Sequence, residues 1–379
     1  MDFAFNEEQD LLRETARRFL AERAPSERVR QAMDTDAGYD EDLWAEIGAQ
    51  GWQAMAIPET YGGAGYSFLD QVVLMEEMGR ALLPVPYLAS VILAANVLLL
   101  AGSDEQKESY LPGIASGEQI WTVALTEASG RWDATGIETR GAVEGDTITI
   151  SGTKRFVLDG HIADHLIVAV RTGPASDPSA GISLVIVPAG LEGIERRKLD
   201  AMDQTRTLAD VVFNGARVPS ANVIGTQGGA WPAIAHVLDL AGVALAAEQV
   251  GGAQKCLEMA VEYAKVRTQF GRPIGSFQAI KHKCADMLVQ VESAKSAAYY
   301  AGWATSEQNE EFPLVAPLAK SYCSEAYFFC AAENIQIHGG IGFTWEHDAH
   351  LYFKRAKSSE LLFGDPAYHR SRLGDRLGL

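Results

Sequence analysis

The chain has 379 residues, 47% of them hydrophobic and 22% charged, the balance of a folded protein of two or three domains rather than of a disordered one. Its 32 Lys and Arg against 50 Asp and Glu leave a net charge of −18. That surface argues against nucleic acid and against anionic membranes, both of which need a basic footprint, but a small anionic ligand needs only a local positive patch.

Residues 1–118 read as an α-helical domain. Asn6 is placed to cap a helix whose first turn holds Glu7 and Glu8, and Leu11, Leu12, Ala16, Phe19 and Leu20 follow at helical spacing. Further helices are predicted over 42–50 and 68–83. Between them Pro58-Glu59-Thr60-Tyr61-Gly62-Gly63-Ala64-Gly65 reads as a structural turn, since no strand precedes its glycines and no Lys-Ser/Thr follows them. The apolar run Tyr87–Ala101 is short for a membrane span and reads as a buried helix. The N-terminus lacks the charge pattern of a signal peptide, and the expected location is cytoplasmic.

Residues 119–226 change pattern to a central β domain. Short β-rich runs (147–150, 155–158, 165–170, 183–187 and 209–213) are punctuated by Gly145-Asp146, Asp159-Gly160, Gly173-Pro174 and Asn214-Gly215. An antiparallel β domain is predicted. Residues 227–379 return to helix. Trp231–Val266 is nearly apolar all round, which marks a helix buried by neighbours on several sides, and 276–303, 313–337 and 348–363 complete a predicted four-helix bundle. Cys256, Cys284, Cys323 and Cys330 form no CxxC and fit no zinc spacing, so they are expected as reduced thiols, with no metal.

Two segments carry the most information: Tyr263-Ala264-Lys265-Val266-Arg267-Thr268-Gln269-Phe270-Gly271-Arg272-Pro273-Ile274 with Phe277-Gln278, and Gln336-Ile337-His338-Gly339-Gly340-Ile341-Gly342-Phe343-Thr344. Together with the helix–sheet–helix order, the Pro58–Gly65 loop and Thr126-Glu127, they closely resemble the acyl-CoA dehydrogenase family. The resemblance implies an α+β fold: an N-terminal α-helical domain, a central antiparallel β-barrel and a C-terminal four-helix bundle. It also implies an FAD-dependent enzyme that desaturates an acyl-CoA thioester between Cα and Cβ, with a carboxylate base taking the α-proton. In the family the flavin lies across a subunit interface, and the cofactor-contacting residues implied here are Arg267, Phe270, Gln278, Gln336, Ile337, His338, Gly339 and Gly340. Their chemistry agrees: a guanidinium suits a pyrophosphate, a phenyl ring packs on a flat heterocycle, and glycines admit close backbone approach.

The departures matter equally. Where relatives carry small residues and a Ser, this chain has Ala128-Ser129-Gly130-Arg131-Trp132-Asp133, which adds bulk. Where they carry Trp-Ile-Thr-Asn-Gly, it has Phe156-Val157-Leu158-Asp159-Gly160, and Leu158 cannot donate the hydrogen bond a Thr would. The two positions at which relatives place the catalytic Glu are Phe363 and Ala241 here. Glu248, Glu360 and Asp365 lie near in sequence and are expected as solvated or salt-bridged carboxylates. The resemblance therefore points to the base-lacking subunit of an α2β2 heterotetramer that completes a homologous partner's flavin site, with electron-transfer flavoprotein as redox partner. The alternatives are a self-sufficient homo-oligomer with a non-standard base, or a non-catalytic homologue that binds flavin or a CoA thioester.

Overall fold

The computed structural model describes residues 5–174 and 177–379. In chain order come α1 (Glu7–Arg23), α2 (Ser26–Met33), α3 (Glu41–Ala49), α4 (Phe68–Ala81), a π-helix over Leu88–Ala94 that continues as α5 (Ala95–Ala101), and α6 (Asp104–Ala115). The strands follow: β1 (Trp121–Ala124), β2 (Arg140–Glu144), β3 (Thr147–Leu158), β4 (His165–Arg171), β5 (Ile182–Pro188), β6 (Ile194–Lys198), β7 (Leu208–Pro219) and β8 (Val223–Ile224). Then come α7 (Trp231–Val266), the short strands β9 (Thr268–Gln269) and β10 (Arg272–Pro273), α8 (Gln278–Ser306), α9 (Phe312–His338), α10 (Ala349–Leu361) and α11 (Pro366–Leu377).

The helix starts follow their capping chemistry. Asn6 accepts from the Gln9 amide while the Gln9 side chain accepts from the Asn6 amide, and Ser67 and Ser103 open α4 and α6 the same way. Each such cap is worth about 1 kcal/mol. By packing, the chain forms two compact units, each drawn from separate stretches of sequence.

The first unit takes residues 32–66 and 84–241. Its sheet runs β6-β7-β3-β2-β4-β5-β8, with β1 on β4. Most pairings are antiparallel, but β1 lies parallel to β4 and Arg140 of β2 pairs parallel with Arg171. The sheet is thus mixed where the sequence suggested a wholly antiparallel one, because β1 and β2 reach β4 through long connections rather than hairpins. Ile148, Ile150, Leu166, Val168, Val185, Val187, Val211 and Phe213 fill its core. Two further expectations change. Residues 147–158 form one strand, not two. Asn214-Gly215 is not a turn but lies inside β7, where Gly215 (φ 75°) is the extra residue between Asn214, opposite Ser151, and Ala216, opposite Ile150. That is a β-bulge, and its positive φ explains the glycine.

The same unit holds the apolar run 87–101, whose first half is π-helical. All seven residues from Leu88 to Ala94 are buried, the Ala95 amide donates to the Ser90 carbonyl, and Ser90 Oγ accepts from the Trp121 amide at 3.1 Å. The loop at 58–65 is a structural turn, as expected. A Cβ on Gly63 would sit 1.8 Å from the Ile57 carbonyl oxygen.

The second unit takes residues 5–31, 67–83 and 242–379. The helix α7 is long and apolar enough to cross a bilayer, yet 83% of its most apolar window is buried in protein, as in a core helix. One glycine on each helix sets the approach of α7 and α4: a Cβ on Gly251 of α7 would lie 1.8 Å from the Glu76 carbonyl oxygen, and one on Gly79 of α4 would lie 2.0 Å from that of Glu248. Arg13, Glu76 and Tyr299 tie α1, α4 and α8 together. The Tyr299 hydroxyl donates to Glu76 Oε2 at 2.5 Å and accepts from Arg13 at 3.1 Å. The sequence pattern missed a fifth C-terminal helix. The expected last helix ends at Leu361, and α11 starts afresh with Asp365 accepting from the Tyr368 amide and Pro366 in the first turn.

Candidate functional site

Helix α7 ends at Val266, and the chain turns through a two-residue hairpin in which Gln269 pairs with Arg272. Both turn residues have positive φ, Phe270 at 53° and Gly271 at 75°, the type I′ geometry that suits a tight hairpin and normally selects Asn or Gly. An aromatic residue there is strained by roughly 1–2 kcal/mol. Phe270 is also 92% exposed. A strained aromatic tip that is almost wholly exposed buries little within this chain, which points to a role outside it. The Phe277 ring meets Phe270 edge-on at 6.1 Å and carries the Arg272 guanidinium at 4.1 Å, so the hairpin is pinned to the start of α8, where Gln278 is exposed. The Arg267 guanidinium is exposed and has no hydrogen-bond or ion-pair partner among the described residues.

Helix α9 ends on the second motif. Gln336 is exposed, and Gly339 (φ 65°) ends the helix; a Cβ on Gly339 or Gly340 would meet nothing within 4 Å. The structure brings this end beside α7 through stacked rings that the sequence reading passed over. Tyr263 lies on His338 at 4.3 Å, and His338 lies against His347 at 4.4 Å. Tyr263 stands four residues before Arg267, on one helix face, and that spacing was the available signal. Burial and the His347 ring hold the His338 imidazole below its ordinary pKa, and its Nδ1 bonds the Asn334 carbonyl at 2.8 Å. His338 and Ile337 are 6% and 5% exposed, so their side chains support the turn from beneath, while Arg267, Phe270, Gln278, Gln336, Gly339 and Gly340 form the outer face. That face fits the nucleotide half of FAD: an unpartnered guanidinium for phosphate, an aromatic for a flat ring, two open glycines and two amide side chains.

Both base positions are apolar and interior. Ala241 is fully buried. Phe363 is 2% exposed and held at φ 62°. The turn around it is fixed by Lys320, itself buried, whose Nζ donates to the Glu360 carbonyl at 3.2 Å and the Gly364 carbonyl at 3.3 Å. The three nearby carboxylates all have structural partners. Glu248 pairs with Arg355 at 3.2 Å and accepts from Ser359 at 3.2 Å, Glu360 pairs with Lys357 at 2.8 Å, and Asp365 caps α11. Glu248 is thus salt-bridged but deeply buried, not solvated.

In the β unit, Thr126-Glu127 is anchored by a fully buried lysine. Lys154 Nζ donates to Glu127 Oε1 at 2.6 Å and to the Leu125 carbonyl at 3.0 Å, and the Glu127 carboxylate accepts the Glu138 and Thr139 amides. Burial pulls the Lys154 pKa down to about 8 against the pull of Glu127. Beyond this anchor Arg131 bonds Asp133, and Trp132 is half-buried. Leu158 is buried, whereas Phe156 stands 46% exposed at φ 56°.

Comparison with known proteins agrees over the whole chain. The acyl-CoA dehydrogenase N-terminal, middle and C-terminal domain families match residues 6–118, 122–216 and 228–378. The chain is 37% identical to acyl-CoA dehydrogenase IpdE2 of Mycolicibacterium smegmatis, over 97% of this chain and 98% of that protein. Among solved structures it is similar to butyryl-CoA dehydrogenase from Megasphaera elsdenii (29% identity, TM-score 0.93, all of both chains). It is also similar to a chain of the ChsE4-ChsE5 complex from Mycobacterium tuberculosis (29% identity, TM-score 0.90, 100% of this chain and 99% of that one). This chain therefore belongs to the acyl-CoA dehydrogenase family, whose members are oxidoreductases acting on CH–CH groups.

Proposed function

We propose that this chain takes part in the α,β-desaturation of an acyl-CoA thioester as the subunit that completes a homologous partner's flavin site and brings no catalytic glutamate of its own. The observation that carries this is the contrast between two regions of the chain. The outward face around Arg267, Phe270 and Gly339-Gly340 keeps the chemistry to hold FAD, while both base positions, Ala241 and Phe363, are apolar and buried. Bound FAD would supply the acceptor for the hydride lost from Cβ. The chain's own part is to bind and orient. Arg267 offers a forked donor set to phosphate oxygens, Gln278 and Gln336 offer amide hydrogen bonds, and the glycines admit backbone amides. No described carboxylate at either usual position can take the α-proton, so that proton goes to the partner's glutamate. The ChsE4-ChsE5 complex among the similar structures lends support to an assembly of unlike chains. An α2β2 heterotetramer, electron-transfer flavoprotein as acceptor, a fatty or steroid-side-chain acyl group and a cytoplasmic location complete the reading.

The test is flavin content and turnover of the chain purified alone and co-expressed with a homologous subunit that has its glutamate. Alone it is expected to be colourless or poorly soluble and inactive; together the pair is expected to be yellow and active. A homo-oligomer carrying one FAD per chain and turning over a thioester would replace this reading with a self-sufficient enzyme.

A further inference from the structure

The helical unit contains a cleft of about 500 Å³, lined by no residue of the two flavin motifs, between the end of α1, the start of α2, the end of α4, the middle of α7 and the start of α10. That volume lies within the range of about 300–1,000 Å³ usual for small-molecule sites. Leu20, Ala24, Val29, Leu82 and Leu351 give it an apolar lining, and charged side chains enter it from α1, α4 and α7 and from the start of α10.

The charges there are matched one by one. Arg17 holds Glu77 through both carboxylate oxygens, at 3.0 and 2.6 Å. Arg80 holds Glu258 in the same forked way, and Asp348 accepts from Ser26 at 2.5 Å and from Arg30 at 2.7 Å. Lys255 completes the lining and differs: it forms no hydrogen bond or ion pair among the described residues. Its nearest acidic neighbour on α7, Glu258, is already bonded to Arg80 and Gln254. An ammonium without a bonded counter-ion, set beside apolar side chains, suits one negative charge on a partly apolar body. A dianionic phosphate fits poorly, because Glu77 and Asp348 face the same space and would repel the second charge.

We propose that this cleft binds a small amphipathic monocarboxylate, its carboxylate on Lys255 Nζ and its hydrocarbon chain against Leu20, Val29 and Leu351. The proposal is independent of the flavin reading, since no residue of the cleft belongs to the flavin motifs.

Octanoate serves as the probe, measured by isothermal titration on the assembled protein, with octanamide as its neutral counterpart. One saturable site per chain is expected. Lys255→Met and the change to octanamide should each weaken binding tenfold or more, the order expected for a charged hydrogen bond. Ala24→Trp, which fills the cleft, should abolish binding. Circular dichroism and melting temperature check that each variant folds, and Lys255→Met, a substitution of a half-buried side chain without bonds, stands alone if Ala24→Trp does not fold. Absence of saturable binding at millimolar octanoate overturns the proposal. So does binding unchanged by Lys255→Met, which would place the ligand elsewhere.

Discussion

Glu248→Gln separates a structural carboxylate from a catalytic one. Glu248 and Arg355 are 5% and 3% exposed and 3.2 Å apart, with the Ser359 hydroxyl on the same oxygen. Glutamine keeps the shape and one acceptor but removes the charge, so the buried guanidinium loses the Glu248 carboxylate. Breaking a buried pair from one side costs roughly 3–5 kcal/mol, and the retained acceptor favours the lower end, about 3 kcal/mol. At roughly 2–4 °C per kcal/mol for a protein of this order of size, the melting temperature should fall by roughly 6–12 °C. The double variant Glu248→Gln/Arg355→Met should recover much of that loss, since apolar replacement of a whole pair is often neutral. Thermal unfolding reads the stability, and dye-coupled turnover of the co-assembled enzyme, well below the transition, reads the chemistry. Turnover should stay within about threefold, because a group locked to Arg355 and Ser359 is not the base. An unchanged melting temperature together with a fall of ~10²-fold in turnover at full flavin content would refute the reasoning and make Glu248 the base.

Three further outcomes follow from the same structure. Arg267→Ala in the assembled oligomer should weaken FAD retention about ten- to a hundredfold, the loss of a charged hydrogen bond of roughly 1.5–3 kcal/mol, and unchanged flavin content after dialysis would remove Arg267 from the site. Gly251→Ala should destabilise by at least ~1–3 kcal/mol, because its Cβ would lie 1.8 Å from the Glu76 carbonyl oxygen; Gly374→Ala on α11, where a Cβ meets nothing within 4 Å, should instead stabilise by up to ~1 kcal/mol, and denaturant midpoints distinguish the two. His369 is buried near Lys320, and burial first, then that cation, push its pKa down to about 2 from 6.5. Its contribution is flat above pH 6.5. Below that the unfolded chain binds a proton the folded chain refuses, so up to ~1.4 kcal/mol is lost per pH unit; His369→Gln should flatten the fall of melting temperature from pH 6.5 to 5, and an unaltered slope would contradict it.

Local rules made much of this fold legible. The Asn6 cap, the Gly-rich turn at 58–65 and the helical stretches of the last third are set by neighbours within a few residues, and the chain carries those signals openly. The misreadings arose where distant pairing decides. Asn214-Gly215 has the composition of a hairpin turn, but the partner strand β3 makes it a bulge. The α10–α11 break was invisible because Phe363 is an apolar residue in a left-handed conformation, held by a lysine more than forty residues earlier. At the site, the types of Arg267, Phe270 and the glycines were readable from motif and chemistry. That Ile337 and His338 face inward was not, since helical phase at a helix end depends on the ring stack with Tyr263 and His347.

The π-helix at 88–94 has a consequence for insertions and deletions. Its amides reach back five residues instead of four, so it holds one residue more than an α-helix would need to span that distance. Removing a single residue would let the segment relax into ordinary helix, but it would also rotate everything after it by about 100°. Val97 and Leu98, now in the core, would swing toward the outer side of α5, and Leu100, now 48% exposed, would leave its place as well. This stretch should therefore accept many changes of apolar side chain over evolutionary time and almost none in length, so that the count of residues from Pro86 to Gly102 is a more durable mark of the lineage than their identities.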